Sequence, residues 1–138
     1  MTQSQRSVRI ERVAAGRYVA HTEGGATIPI GGDDEFSPVE LLLAAIGGCT
    51  AVDTDVATTR RTEPDSFTIT VEGTKISDRD TGNRMEDLTV TFAVRFPEGA
   101  AGDAARAMLP RTVALSHDKL CTVSRTVELG TPVRTVIE

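Results

Sequence analysis

The residues best suited to chemistry are two cysteines, Cys49 and Cys121, the only two in a chain of 138 residues. A thiol is a nucleophile only as its thiolate, so the role of each depends on what its surroundings do to its proton. Cys49 follows Gly47-Gly48 inside a long apolar stretch. Two glycines in a helix interior cost roughly 1–2 kcal/mol relative to alanine, so they must serve something. One use is close packing of a small-residue face, with Cys49 as a small hydrophobe. The other is access of a substrate or a second thiol to the sulfur. Cys121 follows His117-Asp118-Lys119-Leu120 and precedes Thr122-Val123-Ser124. A short helix starting there would place the positive end of its dipole at the thiolate.

Other chemistries find little support. His117 and Cys121 have the i,i+4 spacing of helical metal ligands, but His21 is the only other histidine and there is no CxxC or HExxH pattern. No metal is expected. There is no G-x-G-x-x-G, no phosphate-binding lysine after Gly31-Gly32 and no nucleophile elbow, so no cofactor is expected either. The formal net charge is -5 and no basic block exceeds Arg60-Arg61, which argues against nucleic acid as a partner. Met1 to Val13 is polar, and the longest apolar run, Leu41 to Ile46, falls far short of the ~20 residues of a membrane span. The expectation is a cytoplasmic protein without membrane association. In that compartment two cysteines are a redox pair, core residues or part of a metal site rather than a permanent staple.

The elements that must position the cysteines form one domain over residues 1–138. Arg9 to Val13 and Tyr18 to Thr22 read as strands about a turn at Ala15-Gly16, and Ala26 to Ile30 as a third. Ser37 is a helix N-cap, Pro38 fits the first helical position and Glu40 completes a capping box. The helix continues through Leu41 to Val56 and ends before Pro64. Being apolar on most faces, it belongs in the middle of a domain or between subunits. Ser66 to Lys75 and Leu88 to Phe96 alternate as half-buried strands, with Asp78 to Asp87 as the hairpin loop. Ala100 to Leu120 is helical, with an interruption expected at Pro110. A short helix after Cys121 stops at Gly130, and Pro132 to Ile137 reads as a last strand. This order gives an α+β fold, because strands and helices do not alternate. Aromatic residues are only 4% of the chain, so its core rests on Val, Leu, Ile and Ala.

Glu40 and Cys49 share the long helix. Nine residues at ~100° each put them on opposite faces, ~13 Å apart along the axis. One site cannot readily use both from one helix, whereas a symmetric dimer could exchange them.

The stretch from Phe36 through Cys49 to Thr50, FSPVELLLAAIGGCT, resembles the central helix of the OsmC/Ohr family. The segment His117 to Ser124, HDKLCTVS, resembles that family's second cysteine motif. The resemblance covers nearly the whole chain in element order. It implies antiparallel sheets with a long buried central helix, in an intertwined homodimer with its active sites at the subunit interface. It also implies thiol-dependent reduction of organic hydroperoxides. Cys49 would be oxidised to a sulfenic acid, Cys121 would resolve it as a disulfide, and a small thiol or dihydrolipoyl reductant would reopen the disulfide. Glu40 of the partner subunit matches the family's glutamate that positions a catalytic arginine. That arginine is where this chain departs. The loop Gly31 to Ser37 holds Asp33, Asp34 and Glu35 but no arginine. Arg17 is the nearest match for the alternative family position in the first turn, with Arg12 second. Thr122 stands where many relatives have proline. Without a cation, Cys49 in an apolar helix would have a raised pKa, and Asp53 one turn on would raise it further if unpaired. Two other functions suit the same scaffold: small-molecule binding, and thiol-disulfide exchange without peroxide chemistry.

Overall fold

The computed structural model describes residues 1–138. Contacts within the chain group into two compact units, Met1–Leu42 and Leu43–Glu138. The first unit holds β1 (Val8–Ala14), β2 (Arg17–Thr22) and β3 (Thr27–Ile30), an antiparallel sheet in the order β1-β2-β3. Gly16, at φ 72°, makes the β1–β2 turn in a conformation that other residues rarely adopt. Ile30 is the one buried residue of this unit. Val8, Ile10 and Val13 on β1 are 65%, 58% and 63% exposed. A sheet of this size needs its apolar face covered to be stable, and the unit does not cover its own.

The long helix α1 (Pro38–Thr59) begins as the sequence requires. The Glu40 N–H donates to Ser37 Oγ (3.1 Å), and the Ser37 N–H donates to Glu40 Oε1 (3.0 Å). The helix is not buried all round. Ile46, Thr50, Thr54 and Thr58, at four-residue spacing, form a buried stripe together with Gly47. The threonines satisfy themselves: the Thr54 hydroxyl donates to the Thr50 carbonyl (2.8 Å) and that of Thr58 to the Thr54 carbonyl (3.0 Å). On other faces Ala44, Ala45, Gly48, Val52 and Val56 are exposed.

By length and composition α1 is long and apolar enough to cross a membrane, with a mean hydropathy of 1.3 over its best window. A count of contiguous apolar runs does not register this. Small residues dispersed among Leu, Val and Ile raise the mean without making a long unbroken apolar run. The core helix of a globular protein passes the same test, and α1 does bury one stripe against its own chain.

The second unit contains the hairpin of β4 (Ser66–Ile76) and β5 (Arg84–Arg95), registered from Ser66 opposite Arg95 to Ile76 opposite Arg84. Phe67, Ile69 and Val71 alternate inward on β4, as do Leu88, Val90 and Phe92 on β5. The loop is shorter than expected. Asp78 closes it by accepting the N–H groups of Asp80 (2.8 Å) and Thr81 (3.1 Å), so Arg84 already pairs in β5.

Helix α2 (Ala100–Leu115) runs through Pro110 without stopping. Pro110 is exposed, so water can take the carbonyl its missing N–H leaves free. The change comes later, at a π-helical turn over Ser116–Leu120. Helix α3 (Thr122–Leu129) follows and ends at Gly130 in the left-handed conformation, φ 63°. Pro132 to Ile137 is not a strand. The segment is irregular and exposed, because no strand of the chain pairs with its backbone groups.

Gly47 and Gly48 serve different ends. A Cβ on Gly47 would meet Val71 Cγ2 at 2.7 Å, so its absence lets β4 approach α1. A Cβ on Gly48 would meet nothing within 4 Å. Gly48→Ala should therefore keep most of the ~1 kcal/mol helix-propensity gain, whereas Gly47→Ala loses it to ~1–3 kcal/mol of overpacking against a stiff valine. Urea denaturation of the two variants checks the order, with Gly47→Ala the less stable.

Candidate active site

The second unit brings the two cysteines together. Both are free, Cys121 is buried and Cys49 is partly exposed. Their thiols are near enough to shift each other's pKa. Cys49 sits within α1, where the helix uses its backbone N–H groups internally. Cys121 is the N-cap of α3: the Ser124 N–H donates to its sulfur at 3.4 Å, and the Ser124 hydroxyl lies 3.3 Å away.

The π-helical turn places Cys121 there, and it is anchored to α1. The Ser116 hydroxyl is fully buried and donates to Asp53 Oδ2 (2.7 Å). With its single proton so used, Ser116 accepts from the Thr50 hydroxyl (3.0 Å). The Cys121 N–H returns to the Ser116 carbonyl (2.8 Å). Thr50 follows Cys49 on α1 and Asp53 lies one turn on, so one serine ties the two thiol-bearing segments together.

These surroundings treat the thiols differently. Burial pushes the Cys49 thiol up, and the hydrogen bond to Cys121, the charge on Cys121 and the charge on Asp53 push the same way; only the Val123 N–H opposes them. Burial also acts to raise Cys121, but its contacts with the Ser124 and Cys49 side chains and with the Ser124 and Val123 N–H groups outweigh it, and the net direction is down. The raised Cys49 pKa agrees with the sequence expectation. Asp53 contributes to it, although it is held by Ser116 rather than unpaired.

The other sequence candidates lie in the first unit. Glu40 is engaged in its capping box, and the Ser37 N–H and then the Ser37 hydroxyl hold its carboxyl below the usual range. Arg17 pairs with Glu35 (3.4 Å), whose carboxylate also accepts the Gly32 N–H (2.8 Å).

A cavity of ≈ 730 Å³ lies in the second unit, walled by Ile46, Leu88, Val90, Phe92, Leu109 and Val113. Thr50 and Ser124, the neighbours of the two thiols, also line it. Its volume and apolar walls suit an organic small molecule. His117 borders it and bridges Asp118 (2.9 Å) and Glu128 (2.7 Å), bracing the π-helical turn against α3.

Comparison with known proteins agrees with this architecture. The family model described as OsmC-like protein matches residues 31–136. The chain belongs to the OsmC family. An uncharacterized protein of Mycobacterium tuberculosis is 30% identical over 127 residues, covering 90% of each chain. A hypothetical protein from Aquifex aeolicus has the same fold, with a TM-score of 0.75 at 23% identity over 94% of this chain and 91% of that one. An organic hydroperoxide resistance protein OsmC from Legionella pneumophila superposes with a TM-score of 0.59 at 15% identity, covering 91% of each chain. The α+β reading with antiparallel sheets is thereby established for this OsmC-like chain.

Sequence reasoning missed Ser116, Thr50 and Ser124. The position of Ser124 three residues after Cys121 is the N-cap to N3 spacing, a signal that was present. Nothing in the sequence marks Ser116, because its role depends on a π-helical turn.

Two measurements check these electrostatics. Asp53→Asn keeps an acceptor for Ser116 and removes the charge, so the pH midpoint of Cys49 alkylation should move to lower pH. Asp118 and then Glu128 raise the His117 pKa above its ordinary 6.5, so its NMR titration should fall above that value. Any stability from this brace is present below the ordinary value and lost as pH rises through the raised one.

Proposed function

We propose that this chain is a thiol-dependent peroxidase that reduces organic hydroperoxides. The observation that carries the reading is the meeting of Cys49 and Cys121 beside an apolar cavity. Cys49 is the more exposed thiol and attacks the distal peroxide oxygen; an alcohol leaves and a sulfenic acid remains. Cys121 attacks that sulfur, water leaves and a disulfide forms. A small thiol or dihydrolipoyl group then reduces the disulfide by exchange. The cavity accepts the organic group of the peroxide. The name of the Legionella pneumophila neighbour supports the same substrate class.

The working form is a cytoplasmic homodimer with its sites at the interface. The exposed apolar residues of β1 and the exposed Val52 and Val56 of α1 support it, since each leaves apolar surface that a second copy would cover. In that dimer Glu40 of the partner subunit and Arg17 complete the site. A Val52→Asp, Val56→Asp double variant should shift the protein from dimer to monomer in sedimentation.

The raised Cys49 pKa favours a second reading, a small-molecule binding or thiol-disulfide exchange protein on the same scaffold. One experiment separates them. After one equivalent of cumene hydroperoxide, mass spectrometry should find a Cys49–Cys121 disulfide, and Cys49→Ser should abolish turnover with a dithiol. Unreacted thiols in the wild type would reject the peroxidase.

A further inference from the structure

We propose that Ser124 is a catalytic hydrogen-bond donor to the leaving oxygen of the peroxide, in a cavity that admits uncharged organic hydroperoxides and turns away anionic ones. This rests on the peroxidase reading and deepens it, by naming a group that handles the O–O bond and the class of substrate selected.

Hydrogen-bond accounting gives two hydroxyls opposite roles. The Cys121 thiol donates to Ser124 Oγ (3.3 Å), so that oxygen is already an acceptor. The Ser124 N–H goes to the Cys121 sulfur (3.4 Å). Neither bond uses the hydroxyl hydrogen of Ser124, which is left to donate. On α1 the position is reversed. Ser116 gives its one hydrogen to Asp53 (2.7 Å), so Thr50 gives its own to Ser116 (3.0 Å) and keeps its lone pairs. Both Thr50 and Ser124 line the ≈ 730 Å³ cavity. One donor and one acceptor in an apolar chamber complement a hydroperoxide, whose distal oxygen carries a hydrogen and whose proximal oxygen accepts one. Ile46 and Thr50 of the same wall bracket Cys49 on α1, three residues before it and one after. A distal oxygen held at Thr50 is therefore on the side of the helix next to the thiol.

The charged groups of the wall select against an anion. They are His117, Asp118 and Glu128, and His117 spends both ring nitrogens on the two carboxylates (2.9 and 2.7 Å). Arg125 reaches Glu128 at 3.5 Å from outside the wall. A carboxylate on the ligand would meet two others and no unpaired cation. The apolar remainder of the wall offers it nothing in exchange for its hydration.

The step balances. Cys49 gives its proton to solvent, its sulfur bonds the distal oxygen of ROOH, and the O–O bond breaks with its electron pair on the proximal oxygen. Thr50 Oγ accepts from the distal O–H, and that hydrogen stays as the hydrogen of the sulfenic acid. Ser124 donates to the proximal oxygen as its charge develops and keeps its own proton. The RO⁻ takes a proton from solvent and departs as ROH. Sulfur is oxidised by two electrons and the peroxide is reduced by two. A donor already aimed at the developing charge lowers the barrier to this step.

The test is rapid-quench oxidation of the reduced full chain, with mass spectrometry following loss of the Cys49 thiol. The probes are cumene hydroperoxide, its para-carboxylate, and peracetic acid, whose leaving acetate needs little help. Rates are taken relative to those with free cysteine. Wild type should react with cumene hydroperoxide about tenfold or more faster than with the para-carboxylate. Ser124→Ala should slow the cumene hydroperoxide reaction about tenfold or more, the loss of one hydrogen bond to a developing charge, and the peracetic acid reaction much less. A merely structural loss would slow both alike. Ser124→Thr, which keeps the hydroxyl, should restore the rate. Equal wild-type rates with cumene hydroperoxide and its para-carboxylate, or a Ser124→Ala effect that is absent or the same for both oxidants, overturns the inference and leaves the peroxidase intact. Wild-type Cys49 that stays reduced with cumene hydroperoxide overturns both.

Discussion

The site depends on a single buried hydroxyl. Ser116 sits without solvent between Asp53 and Thr50 of α1, and its backbone carbonyl receives the N–H of Cys121. A hydrogen bond to a charged group in such a place contributes about 1.5–3 kcal/mol. Position matters as much as strength. Thr50 adjoins Cys49 on the helix and Asp53 lies one turn on, so the serine that binds them fixes where the π-helical turn sits, and Cys121 follows it. Lose the clamp and both thiols persist, but their separation is no longer set.

The same clamp explains the composition of α1. An all-leucine stripe would bury more apolar area but take the Thr50 hydroxyl from Ser116. The helix buries threonines instead, and their hydroxyls turn back to the carbonyls four residues before them. Each thus packs as a small β-branched hydrophobe with its polar atom satisfied, which avoids the cost of an orphaned hydroxyl. Thr50 is the exception that looks outward, and it is the one beside Cys49. Gly47 admits β4 to the same face, while Gly48 faces open space. Close packing of a small-residue face therefore accounts for Gly47.

Much of this architecture was legible because it is written in local signals. The capping box at Ser37 and Glu40, the alternation of Phe67, Ile69 and Val71, and the stop at Gly130 each depend on residues within one turn or one strand. The misses are non-local. A strand over Pro132 to Ile137 has the right alternation and no neighbour in the chain. Pro110 would break an interior helix, yet on an exposed face it is tolerated. Ser116 reads as an ordinary polar residue until the π-helical turn buries it. The cysteines were recognisable as motifs, but their meeting depends on packing over the whole second unit. Arg17 matches a family position after the first turn; that it pairs with Glu35 follows from the fold of the loop before α1.

The absence of a loop arginine looks at first like a defect in a thiol enzyme, since apolar burial alone would leave Cys49 protonated and slow. It is a defect only if the charge must reside on the attacking sulfur at rest. In this chain the N–H donors at the start of α3 serve Cys121, whose sulfur accepts the Ser124 N–H while its thiol donates to the Ser124 hydroxyl. A cation near Cys49 would lower its pKa and its intrinsic nucleophilicity together. A buried thiol without one keeps its basicity, so the raised Cys49 pKa costs thiolate but favours nucleophilicity. Asp53 then has a consistent place. Its charge favours the protonated form of Cys49, and its carboxylate anchors the serine at the start of the turn that leads to Cys121.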